Sequence, residues 1–359
     1  MRIIKNVNRY FCRMKQSLLL LFTSLFVFIS CKDEPKIRRQ EDLPDHRDTS
    51  VVSNQSVSSD SLNIYIKDHP NDVDALIARA YSYIDNHNLK YAIADAQAVL
   101  EIDSLNPKVL LLWGDVNYLT NHTRISKNAW EKCIAMDNEN VDCRLKLAEL
   151  YNIVQEYNKS LKLVDEVIDI DNTNPVAFYI KGMNIRAMKR DTAVAMQYFQ
   201  KAIDLDNNYI GALDVMGVML SSRKDSLALV YFNRILEIDP NHYPTYYNLG
   251  MFHLSMKNWN EAIRDFTKCT QLRKDDTESF FNLGYIHLQL KNYDIARDYF
   301  TQSINAKPSN FRAYYGRAYS FEMLGDITNA AKDYREALTY NPQHQPSIIG
   351  LKRVMNPNQ

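Results

Sequence analysis

The chain has 359 residues, long enough for two ordinary domains or one extended array, and its 43 Lys and Arg are balanced by 43 Asp and Glu. Zero formal charge leaves no cationic surplus to neutralise a phosphate backbone, which argues against a nucleic-acid partner. Tyr is abundant at 23 and Gly scarce at 9, a balance that suits helices packed through aromatic rings and excludes a loop-rich or low-complexity protein.

The N-terminus reads as an address. Arg2, Lys5, Arg9, Arg13 and Lys15 precede the apolar run from Ser17 to Ser30 with no acidic residue among them, and the run is short for a membrane span. Residues 1–30 are therefore expected to be a cleaved signal peptide. The run stops at Phe28-Ile29-Ser30-Cys31, which resembles a bacterial lipobox, although Phe28 stands where that motif usually has Leu. The resemblance implies that Cys31 is lipidated and becomes the first residue of the mature chain. Lys32 is not the aspartate that retains such lipoproteins in the inner membrane, so an outer-membrane location is implied. Lys32-Asp33-Glu34 is also similar to short charged signals for export to the cell surface, leaving the periplasmic and external faces both open. A plain secretory signal and an uncleaved anchor helix are the alternatives. The rest of residues 31–58 is polar, carries Pro35, Pro44 and a Ser/Thr cluster, and has no helical or strand period. It is expected to be a disordered tether.

Residues 59–72 fit a lone helix capping the array that begins at Val73, with Pro70 at the register held again by Pro240. From Val73 to His344 a 34-residue period governs the text. It is plainest where Asn248-Leu249-Gly250, Trp259, Ala262 and Phe266 return as Asn282-Leu283-Gly284, Tyr293, Ala296 and Phe300. Eight units start at Val73, Pro107, Val141, Pro175, Ile210, Tyr243, Thr277 and Phe311, the fourth one residue longer and the fifth one shorter at the turn between their helices. Position 8 is always Gly or Ala, and position 20 always Ala or Ser. Position 24 is large in seven of eight units: Trp130, Val164, Phe199, Phe232, Phe266, Phe300 and Tyr334. Two helices that cross closely need this alternation of gap and knob. The prolines of the array fall at unit junctions or, for Pro244, in a first helical turn where the missing N–H costs nothing. Residues 345–359 are read as a C-terminal capping helix and tail.

The period and residue pattern resemble the tetratricopeptide repeat (TPR). That resemblance implies an all-α, right-handed superhelical solenoid of about eight helix-turn-helix units with short capping helices. In this family the first helix of each unit lines a concave face, with positions 2, 5, 9 and 12 pointing inward. In the last three units those positions supply Tyr247, Met251, Phe281, Tyr285, Tyr315 and Tyr319, an aromatic and methionine-rich groove suited to a protein or peptide partner. The first three units are more polar there, with Asp74, Lys108, Asp115, Asp142 and Glu149. A purely packing role for positions 5 and 9 weighs equally against a continuous apolar strip. The carboxylate clamp of some TPR domains is not matched, because Asp214/Val218 and Tyr247/Met251 stand in place of its Lys/Asn pair.

No residue set points to catalysis, a cofactor or a metal. His253 and His287 share position 11, a site otherwise held by aromatic residues such as Tyr83, Tyr151 and Phe321, and read as core. Cys133 and Cys269 occupy position 27, where small buried side chains are usual; a Cys133–Cys143 disulfide is left open. No phosphate loop, nucleophile elbow, HExxH or Cys/His zinc spacing occurs. The expected role is a lipid-anchored envelope scaffold or adaptor, with a nutrient-capture lipoprotein binding glycan or peptide as the alternative.

Overall fold

The computed structural model describes residues 59–188 and 191–356, so the signal segment, Cys31 and the tether lie outside the described residues. Among the described residues there are eighteen α-helices and no strand. A leading helix α1 (Ser59–Asp68) is followed by eight hairpins. They are α2 (Val73–Asp85) with α3 (Leu89–Ile102), α4 (Pro107–Leu119) with α5 (Thr123–Met136), α6 (Val141–Ile153) with α7 (Tyr157–Ile170), and α8 (Pro175–Ala187) with α9 (Thr192–Leu205). The array continues with α10 (Ile210–Ser222) and α11 (Ala228–Ile238), α12 (Tyr243–Ser255) and α13 (Trp259–Leu272), α14 (Thr277–Gln289) and α15 (Tyr293–Ala306), then α16 (Phe311–Met323) and α17 (Ile327–Tyr340). A final helix α18 (Gln345–Met355) closes the far end. Each helix packs on its neighbours in sequence, which is the solenoid that the period implies.

The joint inside each hairpin follows from side-chain size. Every residue at position 20, from Ala92 through Ser126 and Ala262 to Ala330, is fully buried, as are the position-24 knobs Phe199, Phe232 and Phe266. Gly250 in α12 lies beneath the Phe266 ring of α13, so closely that a Cβ there would sit 2.8 Å from Cε1 of the ring. Gly182 and Phe199, Gly217 and Phe232, and Gly284 and Phe300 repeat the arrangement.

Helix starts have a local cause as well. The residue before each first helix is commonly Asn or Asp, whose side chain accepts a backbone N–H of the opening turn: Asp72 from Ala75, Asn140 from Cys143 and Asp276 from Ser279, at 2.9, 2.9 and 3.2 Å. Among the described residues, seven hairpin turns carry one residue in the left-handed region: Gly325 at φ 82° in the last unit, and His87, Asn121, Gln155, Lys224, Lys257 and Lys291 in six others. The short α11 has eleven residues against fourteen in α13, because Arg223 to Leu227 are spent on the turn.

Successive units are tied through equivalent positions one period apart. Lys108 donates to Asp74, Tyr81 to Asp115, Asn248 to Asp214 and Arg312 to Glu278, each spanning 34 residues. At the junction of α5 and α6, Cys133 and Cys143 form a disulfide with Cα atoms 6.3 Å apart. The pairing left open by the sequence is thus present, and Cys269 is a buried free thiol pushed up to about 12, first by burial.

Candidate functional site

The first helices of the last three units, α12, α14 and α16, carry the six residues expected to line a groove at two register positions. Position 5 forms the lower row. Tyr247, Phe281 and Tyr315 lie edge-on or tilted against the position-24 rings Phe266, Phe300 and Tyr334, with centroids 5.8, 5.7 and 6.0 Å apart. These three are half-buried and belong as much to the hairpin core as to the groove. Burial, with the charge of Glu278 behind it, pushes the Tyr247 hydroxyl up to about 12. Position 9 forms the upper row, where Met251 is exposed and Tyr285 and Tyr319 are half-buried. The position-5 rings, held by those of position 24, form a floor beside which Met251 is the exposed side chain.

Charged groups border this floor. The Arg312 guanidinium sits 4.9 Å from the Phe281 ring centroid while donating to both oxygens of Glu278. At the far end the Glu322 carboxylate accepts from the Tyr334 hydroxyl at 2.6 Å and from Arg353 of α18, including Nη2 at 2.8 Å. His344, the residue before α18, packs edge-on against Phe311 and Tyr315 with centroids 5.1 Å away in each case. Sequence reasoning misses Arg353 and His344 as groove-end residues. Extending the register past Tyr340 finds them, because Arg353 falls at position 9 of a ninth first helix and His344 at the capping position.

The N-terminal end has another chemistry. Asp115 in α4 is pushed above the usual carboxylate range by burial, against the opposing pull of Lys146 and the hydroxyl of Tyr81. Asp74 and Lys108 form an exposed pair linking α2 and α4. Among the described residues no group of His, Cys, Asp and Glu is placed to hold a metal ion, and no helix is long and apolar enough to cross a membrane. His253 Nδ1 donates to the Asp265 carboxylate at 2.7 Å inside its own hairpin, and His287 stacks on Tyr299 with centroids 5.5 Å apart, so the shared register does not make them a pair.

Burial holds the pKa of both His287 and His344 below the ordinary value. A histidine whose folded pKa is depressed contributes stability above its unfolded pKa, about 6.5, and loses it as pH falls from there through the lower folded value. The urea midpoint is therefore expected to drop between pH 7 and pH 5. A His287→Gln/His344→Asn variant should show a smaller drop, and an unchanged slope would refute the assignment.

Two family models described as tetratricopeptide repeat match residues 243–309 and 281–345. Over these residues the chain belongs to the tetratricopeptide-repeat family. Among solved structures, this TPR chain is similar to the C-terminal part of a TPR repeat-containing protein from Cytophaga hutchinsonii, at 18% identity and a TM-score of 0.56, covering 67% of this chain and 98% of that one. It is also similar to a chain of the Cut9–Hcn1 hetero-tetramer of the APC/C, at 17% identity and a TM-score of 0.54, with 83% of this chain covered. The TPR chain spans only 58% of the length of that relative. At such identities the likeness is one of fold. No curated protein matches the sequence.

Proposed function

We propose that this protein is a lipid-anchored TPR scaffold of the cell envelope that holds a protein or peptide partner in its concave groove. The TPR solenoid is a protein-interaction architecture and generally non-catalytic. The observation that carries the groove is the Met251, Tyr285, Tyr319 row, partly exposed to solvent over a floor of rings held by core contacts. Such a surface gives large apolar contact area at little ordering cost. The similar chain from the Cut9–Hcn1 structure is part of a hetero-tetramer, a precedent for this fold in an assembly. Attachment through Cys31 rests on the charged, apolar and Ser-Cys succession at the N-terminus. A disulfide between Cys133 and Cys143 suits an oxidising compartment and so supports export. The glycan alternative gains nothing from tryptophan platforms, because Trp130 is buried and Trp113 and Trp259 pack against core clusters.

The groove is tested by recovering partners from detergent-solubilised membranes with the wild-type chain and with Tyr285→Ala/Tyr319→Ala. These two rings are half-exposed, so the variant should fold normally and lose its specific partner by tenfold or more, the scale of about 1.4 kcal/mol or above for anchor residues. Equal recovery by both chains would refute the groove. Radiolabelled palmitate incorporated by the wild type and absent from Cys31→Ala tests the anchor separately.

A further inference from the structure

We propose that the Cys133–Cys143 bond is made by a disulfide oxidant while the chain is still folding, and that it is closed to thiol exchange once the second and third units have packed. Both cysteines are fully buried, one at position 27 of a second helix and the other at position 3 of the next first helix. The same two positions elsewhere hold Val99 and Val109, Val167 and Ala177, or Ala202 and Ala212, all with no exposed surface. The site is thus an ordinary inter-unit contact into which sulfur has been placed, and nothing in the packing opens a route to it. In the sixth unit the position-27 cysteine, Cys269, faces Ser279 in place of a second thiol and stays free.

Exchange requires a thiolate to reach a disulfide sulfur. The folded site denies this approach, since Cys133 and Cys143 have no solvent surface and burial disfavours a thiolate there. In the open chain each thiol titrates near 8.5 and is accessible. There one cysteine thiolate attacks the oxidant disulfide and expels one of its sulfurs as thiolate. The second cysteine then attacks the mixed disulfide and expels the other. Two cysteine thiols are oxidised, one disulfide oxidant is reduced to two thiols, and the two protons end on the departing sulfurs. The oxidant is a protein dithiol catalyst in its disulfide form or a small-molecule disulfide. In the cell this chemistry rests on the export reading, because only an oxidising compartment supplies it.

The test uses the full chain, reduced and denatured, then refolded with oxidised glutathione present from the start or added after folding is complete. Quenching with an alkylating agent in denaturant and peptide mass mapping track the bond. Early oxidant is expected to give the bond within the folding time. Late oxidant should give it at least about a hundredfold more slowly, at the rate of opening and faster in mild urea. A reduced chain that refolds only with oxidant present places oxidation before closure just as well. Equal rates for early and late oxidant, or cysteines that never pair, overturn the proposal. Finding both cysteines reduced in protein taken from cells, while they pair readily in vitro, would overturn the export reading and leave the folding order standing.

Discussion

Gly250→Ala is expected to destabilise the protein by about 1–2 kcal/mol, although alanine is the better helix former by about 1 kcal/mol. The added Cβ would lie 2.8 to 2.9 Å from three atoms of the Phe266 ring, closer than side-chain carbons approach. The ring has no exposed surface into which it can retreat. The array contains its own remedy. Ala80 pairs with Ala96 and Ala148 with Val164, so where the gap is one methyl smaller the knob is smaller too. Ala318 with Tyr334 departs from this, and there the ring also bears on Gly350 and its hydroxyl is held by Glu322. Phe266→Val alone removes buried ring volume and costs about 2–4 kcal/mol. The double variant Gly250→Ala/Phe266→Val should cost at least about 1 kcal/mol less than the two single changes added, measured by urea denaturation. Strict additivity would mean that the hairpin joint is not governed by this contact.

Arg317→Ala is expected to cost more, about 3–5 kcal/mol, because it strands a buried carboxylate. Asp333 is 3% exposed and accepts from Arg317 Nε and Nη2 at 2.6 and 3.0 Å, while Nη1 reaches Thr301 of the preceding unit at 3.3 Å. Positions 7 and 23 meet here, and they meet with other chemistry next door: Leu283 and Tyr299 in the seventh unit. Arg317→Leu/Asp333→Tyr installs that apolar solution and should recover most of the loss, since replacing both members of a buried ion pair is often neutral. Hydrogen exchange in α16, α17 and α18 would localise the effect. A double variant no better than Arg317→Ala would show that the pair carries a role beyond satisfying its own charges.

The unit boundaries were legible because a fixed period turns a weak signal into eight readings of the same constraint. One small residue at position 8 means little, whereas Ala80, Gly114 and six equivalents without exception require a close crossing. The turns were not legible. Among the described turns the left-handed residue is Gly only at Gly325, and His87, Asn121, Gln155 and Lys257 share no side-chain property that marks a turn. For the expected groove residues the register was legible and the surroundings were not. Family geometry pointed to Tyr247, Phe281 and Tyr315, but that these three rings pack on position 24 is a contact between helices some twenty residues apart. The cysteine pair resisted for a related reason: Cys133 taken by itself fits the small-residue rule of its position, and only the packing of α5 on α6 shows that Cys143 fills the other side of that contact.

A covalent staple near one end and none near the other makes this molecule mechanically lopsided. Closing a loop of about ten residues stabilises the surrounding pair of units by roughly 2–3 kcal/mol over their neighbours, and in a linear array that advantage stays local. Under a pulling load the distal hairpins should peel away first, and unravelling should pause where the two sulfurs are joined. Reduction of that bond would erase the pause and lengthen the fully extended chain by the residues it had enclosed.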